Sequence, residues 1–313
     1  MLIVYILLLR FSVFIAPFQW EPSGHGVLCD MLYGVVGSQG TVAHIIAMLL
    51  LMVQGYLVNL IAINHRLSNE VNLFPGLFYV WCCCAIPDFL YLSPVLIGNT
   101  FCLIALYQIF ETYKNPACAD KIFNAGLWMG VASLFYYPFV FFLIVLLAGL
   151  SILRAFNLQE LLMILVGLFL PYLFVGLYFF WFGRFDFFWE NQISRNLDFF
   201  SFGHMVYTWD TWVKLAIFAV AVMFVLANNG FYLAKKNIQS QKKVNILYWV
   251  LIAAVVSVPF QANVTLEHFL LLAPTLGIFL GLSFTALRPQ WAEAIHFLMV
   301  VLVLALQFVP WQL

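Results

Sequence analysis

Charge is what this chain has least of. Lys, Arg, Asp and Glu together make up 8% of its 313 residues, where an average soluble domain carries about 25%. So few ionised groups cannot cover a globular surface of this size, and a water-soluble fold is excluded. The 13 basic and 13 acidic residues cancel, which leaves no basic field for nucleic acid. Paired cysteines are also missing. Cys82, Cys83 and Cys84 are consecutive, Cys29, Cys102 and Cys118 stand alone, and no CxxC occurs. That spacing excludes a disulfide framework and a zinc knuckle, and leaves the cysteines as small apolar residues. A leader-peptide pattern is absent as well. Arg10 sits inside the first apolar run and no small-x-small site follows it, so residues 2–18 are expected to stay as a first span.

What is present is apolar sequence, 65% hydrophobic and 19% aromatic. Runs of about 20 such residues recur along the chain, the length needed to cross a bilayer as helix. The reading is an all-α polytopic membrane protein with about eleven transmembrane helices near 2–18, 42–63, 73–86, 92–113, 122–137, 139–153, 158–182, 212–233, 246–261, 267–286 and 291–309. Basic residues orient it. Arg66, Lys114, Lys121, Arg154, Lys235, Lys236, Lys242, Lys243 and Arg288 fall on one side, against Arg184, Arg195 and Lys214 on the other. The positive-inside rule then puts the N-terminus in the cytoplasm and the C-terminus outside, in a bacterial inner membrane. The expected organisation is a single transmembrane domain over 1–313, with a core at about 1–182, an outer amphipathic loop at 183–211 and C-terminal helices at 212–313.

The acids gather on the opposite side. Glu21, Asp30, Asp88, Asp186, Glu190, Asp198, Asp210 and Glu267 are placed there, with His25, His44, His204 and His268 close by. This is either the mirror image of the basic bias or a set of carboxylates converging on a site. Asp88 stands out. The span before it has only about fourteen residues, ~20 Å of helix against a core of ~30 Å. Pro87 and Pro94 bracket D-F-L-Y-L-S, so a hairpin tip is expected below the lipid surface. A charge near the bilayer centre costs ~2.5–3.5 kcal/mol, so such a carboxylate faces a cavity or pairs with a cation. Its structural alternative is to cap the next helix. Gly126 and Gly130 have the four-residue spacing of close helix packing, and Asn99 is placed to bond a neighbouring helix.

Between 183 and 211, Trp189, Ile193, Leu197 and Phe200 recur at helical spacing, with polar residues between them. An interfacial amphipathic helix follows. It either seals the surface or covers a lipid-facing groove, with Arg184 and Arg195 available to a phosphate.

Three stretches carry a resemblance. They are N-H-R-L-S-N-E-V-N-L-F-P-G-L-F-Y-V from 64, P-D-F-L-Y-L-S-P-V-L-I-G-N-T-F from 87, and F-N-A-G-L-W-M-G-V-A-S-L-F-Y-Y-P from 123. Together they resemble a bacterial multi-pass membrane family catalogued as a domain of unknown function, over about residues 55–182. More widely, the order of first span, acidic loop, short L-S-P hairpin and A-G-L-x-x-G-x-A-S-L helix is similar to the GT-C membrane glycosyltransferases. That resemblance implies transfer of a sugar from a polyprenyl-phosphate carrier on the outer face. It implies a general base at Asp30 or Glu21, and at Asp88 an acid that binds a divalent cation (Mg or Mn) or positions the acceptor. Arg184, Arg195, His204, Glu267 and His268 are the candidate substrate contacts. Glycosyl transfer needs a carboxylate to take the acceptor proton and positive charge to steady the departing phosphate. Two other functions stay open. One is a non-catalytic scaffold or subunit of an envelope assembly or glycan pathway, held to a membrane-protein partner. The other is a lipid or solute transporter, which would show a pair of broken segments in corresponding halves.

Overall fold

A computed structural model describes residues 2–15, 24–68, 72–155, 157–197, 209–227, 237–260 and 265–308. Among them all regular structure is helical. In chain order the α-helices are α1 (Leu2–Leu9), α2 (Ser12–Ile15), α3 (Val27–Val36), α4 (Thr41–Asn64), α5 (Phe74–Cys84), α6 (Pro94–Glu111) and α7 (Ala119–Phe135). They continue as α8 (Leu143–Leu153), α9 (Leu158–Trp181), α10 (Phe185–Phe188), α11 (Trp209–Ala227), α12 (Ile238–Val256), α13 (Ala273–Thr285) and α14 (Pro289–Phe308). Helix occupies the described part of every expected span. Five segments among the described residues are long and apolar enough to cross a membrane: Thr41–Asn64, Pro94–Glu111, Leu158–Trp181, Leu266–Thr285 and Pro289–Phe308. The chain is a multi-pass membrane protein; beside these five, shorter apolar helices lie at Val27–Val36, Phe74–Cys84, Tyr137–Leu153 and Trp212–Ala227 among the described residues.

The layering follows from which helices are apolar all round. Ala273–Phe284 of α13 is buried on every side, so this helix is the axis of the bundle. It packs most heavily on α5. Around it one continuous core runs from Ile6 to Val303. Helices α9 and α14 lie at the periphery, with Leu162, Val166, Phe169 and Leu173 of one and Phe297, Leu298 and Val301 of the other exposed. Apolar side chains on that scale suit lipid rather than water.

Polar residues inside the bundle are used as ties. Gln54 donates to the Leu96 carbonyl (2.6 Å) and Thr100 Oγ1 (2.7 Å) and accepts from the Tyr79 hydroxyl (2.8 Å), joining α4, α5 and α6. Asn99 donates to the Leu270 carbonyl at 2.9 Å, the inter-helix bond its position predicted. Helix α7 packs most closely of all on α9. A Cβ on Gly126 would run into the Ile164 carbonyl, and one on Gly130 into that of Leu168. The four-residue glycine spacing is therefore a seat for the α9 backbone. Gly130→Val is expected to cost about 3 kcal/mol, the upper range for overpacking a site that cannot give. Gly34→Ala, with nothing near its Cβ, is the matched control and should be neutral or mildly stabilising. Equal melting temperatures for the two variants in detergent would contradict the interlock.

Arg66, Lys114, Arg154, Lys242 and Lys243 share one end of the bundle. Ser240 donates to the Arg66 carbonyl (2.8 Å), Arg154 to that of Thr112 (3.2 Å), and Lys114 and Lys242 both stand over the Tyr113 ring. Here α12 starts at Ile238, eight residues before its expected beginning at 246. The early start is possible because buried Lys243 donates to His65 Nδ1 at 2.8 Å. Burial, and then the Lys243 cation, hold the His65 imidazole down to about 3. A folded-state value below the unfolded one means that the unfolded chain binds the proton more readily. Stability is therefore complete above about pH 6.5 and is lost as pH falls towards 3. The slope is at most about 1.4 kcal/mol per pH unit. His65→Asn should flatten this acid limb in a melting series, and an unchanged limb would show that the junction does not titrate.

Candidate functional site

At the opposite end, α3 packs on α7 and is fixed at its first residues. The Gly26 amide donates to the Phe135 carbonyl (2.8 Å), which closes the end of α7, and the Val27 amide donates to Gln192 Oε1 (2.9 Å). Gln192 in turn donates to the Ser133 carbonyl at 3.0 Å and is fully buried. One side chain thus satisfies a free amide at the start of one helix and a carbonyl near the end of another. Gln192 lies in a run of helical turns from Phe185 to Leu197, the described part of the amphipathic loop. Phe188 and Gln192 face inward, while Trp189 is 52% exposed.

Asp30 lies in the first turn of α3, where the helix dipole favours an anion. Its Oδ1 is 2.7 Å from His25 Nε2, and the two side chains are 27% and 30% exposed, so the pair is open to a solute. One turn on, the Tyr33 ring meets His25 edge-on, and its hydroxyl donates to the Leu92 carbonyl at 2.6 Å. That bond ties α3 to the hairpin carrying Asp88. Beneath lies Cys29, fully buried, whose thiol is pushed up to about 12, mainly by burial and further by the charges of Asp30 and Glu267. Burial also raises Tyr33, again with Glu267 and Asp30 contributing. Both carboxylates therefore act on the same two buried groups, and Cys29 stays a thiol with no nucleophilic role.

The hairpin tip is a 3-10 turn, Pro87–Phe89, and Phe89–Ser93 beyond it is buried in protein. Asp88 meets a cation, as a carboxylate in that position must. Its Oδ2 is 2.7 Å from Lys214 Nζ, with the side chains 19% and 7% exposed. Capping of α6 falls to Ser93, whose Oγ accepts from the Leu96 amide at 3.1 Å. Lys214 is brought in by α11, held by the Phe89–Phe218 and Phe218–Phe269 ring contacts at 5.4 and 6.4 Å. A second cation approaches from α1, where fully buried Arg10 donates to the Phe89 carbonyl at 3.1 Å.

Glu267 and His268 sit in the 3-10 segment Leu266–Leu272 that leads into α13. Glu267 is buried. His268 is fully engaged: its Nδ1 accepts from the Tyr136 hydroxyl (3.0 Å), and Nε2 faces the Ala254 carbonyl and Ser257 Oγ, both at 3.1 Å. These contacts tie the segment to Tyr136 and to the end of α12. Arg184 and Arg195 are exposed, and neither forms an ion pair among the described residues. Glu21 and His204 lie outside the described residues. For a divalent cation the fit is poor. Mg or Mn asks for several oxygen ligands, whereas Asp88 is taken by Lys214 and Asp30 by His25. No group of three or more His, Cys, Asp or Glu gathers among the described residues.

The elements carrying Asp30, Asp88 and Glu267 are thus joined, by the Tyr33–Leu92 bond and by packing of the hairpin turn on Leu266–Leu272. Two residues escape a reading of the sequence. Lys214 was legible in principle, as a lone ammonium in W-V-K-L-A-I-F-A-V, where an intramembrane charge calls for a named partner. Gln192 gave no signal, since a glutamine on an amphipathic helix looks like its wet face.

No family model matches the chain, and no curated protein matches it at a significant level. The domain-of-unknown-function resemblance is therefore without support. The fold does have a relative among solved structures: ArnT from Cupriavidus metallidurans, in a crystal structure bound to undecaprenyl phosphate. The TM-score is 0.59 at 13% identity, over 95% of this chain and 58% of that one. The chain spans less than two thirds of ArnT's length, and what it shares is an ArnT-like helical membrane fold.

Proposed function

We propose that this protein is a GT-C-like transferase that moves a sugar from a polyprenyl-phosphate carrier to an acceptor hydroxyl on the outer face of the inner membrane. The observation that carries the reading is the half-open Asp30–His25 pair at the head of α3, in a fold shared with ArnT. In this reading Asp30 takes the proton of the acceptor hydroxyl as its oxygen bonds to the anomeric carbon. The bond from that carbon to the carrier phosphate breaks, and polyprenyl phosphate leaves with the electron pair. His25 donates to Asp30 and keeps it aimed. Lys214 supplies the positive charge for the leaving phosphate. Asp88 is then the residue that positions Lys214, and Glu267 with His268 supports the floor of the site. Arg184 and Arg195, with His204 beyond the described residues, are surface contacts for the sugar or the headgroup. The acidic end faces outward, the N-terminus is cytoplasmic and the C-terminus external, with 1–313 as one transmembrane unit.

The test is release of radiolabelled sugar from polyprenyl-phosphate sugars by the purified full-length protein. Release above a heat-inactivated control supports transfer. No release from any donor, together with a membrane protein that co-purifies stoichiometrically, would replace this reading with that of a non-catalytic subunit.

A further inference from the structure

Arg10 is a cation that the bundle encloses and does not neutralise. Its side chain is 1% exposed, and a guanidinium in a protein does not give up its proton. Of its nitrogens only Nη2 is matched, by the Phe89 carbonyl at 3.1 Å. No protein group stands within hydrogen-bond distance of Nε or Nη1. None of the ion pairs among the described residues includes Arg10, and the carboxylate of the adjoining hairpin, Asp88, is held by Lys214. A charge taken out of water needs a counter-charge, and an ionisable residue inside a membrane bundle comes with a partner.

The groups around it are themselves donors. His44, in the first turn of α4, is buried as well, and its Nδ1 is likewise matched by no protein group. It lies within electrostatic reach of Arg10, between the Phe14 and Tyr91 rings at 6.1 and 5.6 Å. Helix α4 begins without a side-chain cap, so its dipole adds positive potential at the same place. On the inner side the Cys83 and Cys84 thiols approach Arg10, and a thiol is a weak donor too. A guanidinium, an imidazole and a helix start facing one another call for an anion. Its size and charge follow from the enclosure. Phosphate or sulfate would bring a second charge against one cation and a firmly held hydration shell. A halide brings one charge and sheds its water more readily.

We propose that Arg10 and His44 hold a single halide-sized monovalent anion, chloride in the first place, at the outer end of α4. The ion neutralises the guanidinium bonded to Phe89 and so steadies the turn that carries Asp88. This site stands apart from the transferase reading and does not depend on it.

The experiment is thermal unfolding of the purified full-length protein in detergent, with sodium gluconate replaced stepwise by chloride or bromide at constant ionic strength. Gluconate is too large to enter so closed a place. The wild type should gain at least about 3 °C and then saturate, as with any ligand of the folded state alone, and bromide should substitute for chloride. Arg10→Met should abolish the halide response, and His44→Ala should shift its midpoint severalfold to higher halide. Lys121→Ala, which removes a cation paired elsewhere with Asp120, should keep the wild-type response. A wild-type melting temperature equal in gluconate, chloride and bromide would overturn the proposal without recourse to any variant. So would an undiminished halide response in Arg10→Met, which would assign the effect to salt in general.

Discussion

Asp30→Asn is expected to lower sugar release by about 10²–10⁴-fold, the range a positioned general base contributes, while leaving the fold intact. The two halves of that expectation come from the same geometry. Asp30 is one of the few carboxylates at this end that is both partnered and open. Its 2.7 Å contact is with His25, and both side chains remain roughly 30% exposed. An exposed pair of this kind is worth at most about 1 kcal/mol to stability, so the melting temperature should move little. Asparagine keeps the shape and can still face His25, but it cannot take a proton. His25→Ala should cost less, about tenfold, because the carboxylate itself remains and loses only its orientation. If Asp30→Asn kept wild-type turnover in an active preparation, the base would have to be sought elsewhere, first at Glu21. A large fall in melting temperature would instead mean that the pair holds α3 in place.

Much of the architecture was legible because the bilayer imposes a length and a polarity on each segment. The expected 42–63 span and the observed Thr41–Asn64 differ by one residue at each end. The hairpin at Asp88 was legible for the same reason: eleven residues of α5 cannot cross ~30 Å of hydrocarbon. Failures came where tertiary contacts overrode local pattern. Lys242 and Lys243 look like the end of a loop, yet Lys243 finds a neutral imidazole to bond and its ammonium stands over the Phe110 ring, so the helix begins earlier. In the amphipathic loop the hydrophobic stripe gave helical turns in the right place but no sign of the buried Gln192. Gln192 is inside because it closes two helix ends, while Trp189 stays exposed, as suits an aromatic at an interface. The candidate site was half legible. Asp30, Asp88 and Glu267 could be singled out one by one, because acids are rare here. Their partners, His25 and Lys214, lie five and 126 positions away, and no local rule joins residues at the second distance.

Breaking the Asp88–Lys214 pair from either side is expected to destabilise the protein by about 3 kcal/mol, the low end for a buried ion pair that loses one partner. The low end applies because Asp88 keeps 19% of its side chain exposed, whereas Lys214 keeps 7%. The effect should also be unequal. Asp88→Asn strands an ammonium with little access to solvent, and Lys214→Met strands a carboxylate that still sees some, so the first should cost more. Joining the two changes removes both charges and leaves an amide beside a thioether, so most of the loss should return. A double-mutant cycle read from unfolding in detergent should then give a coupling of at least about 2 kcal/mol, within the range for contacting residues. Single changes that each cost under about 0.5 kcal/mol and simply add would show that the pair is hydrated and has no hold on α11. In that case the transferase would need another cation for its leaving phosphate. Arg10 is the only other cation placed at this hairpin among the described residues, and its complete burial makes it a poor substitute.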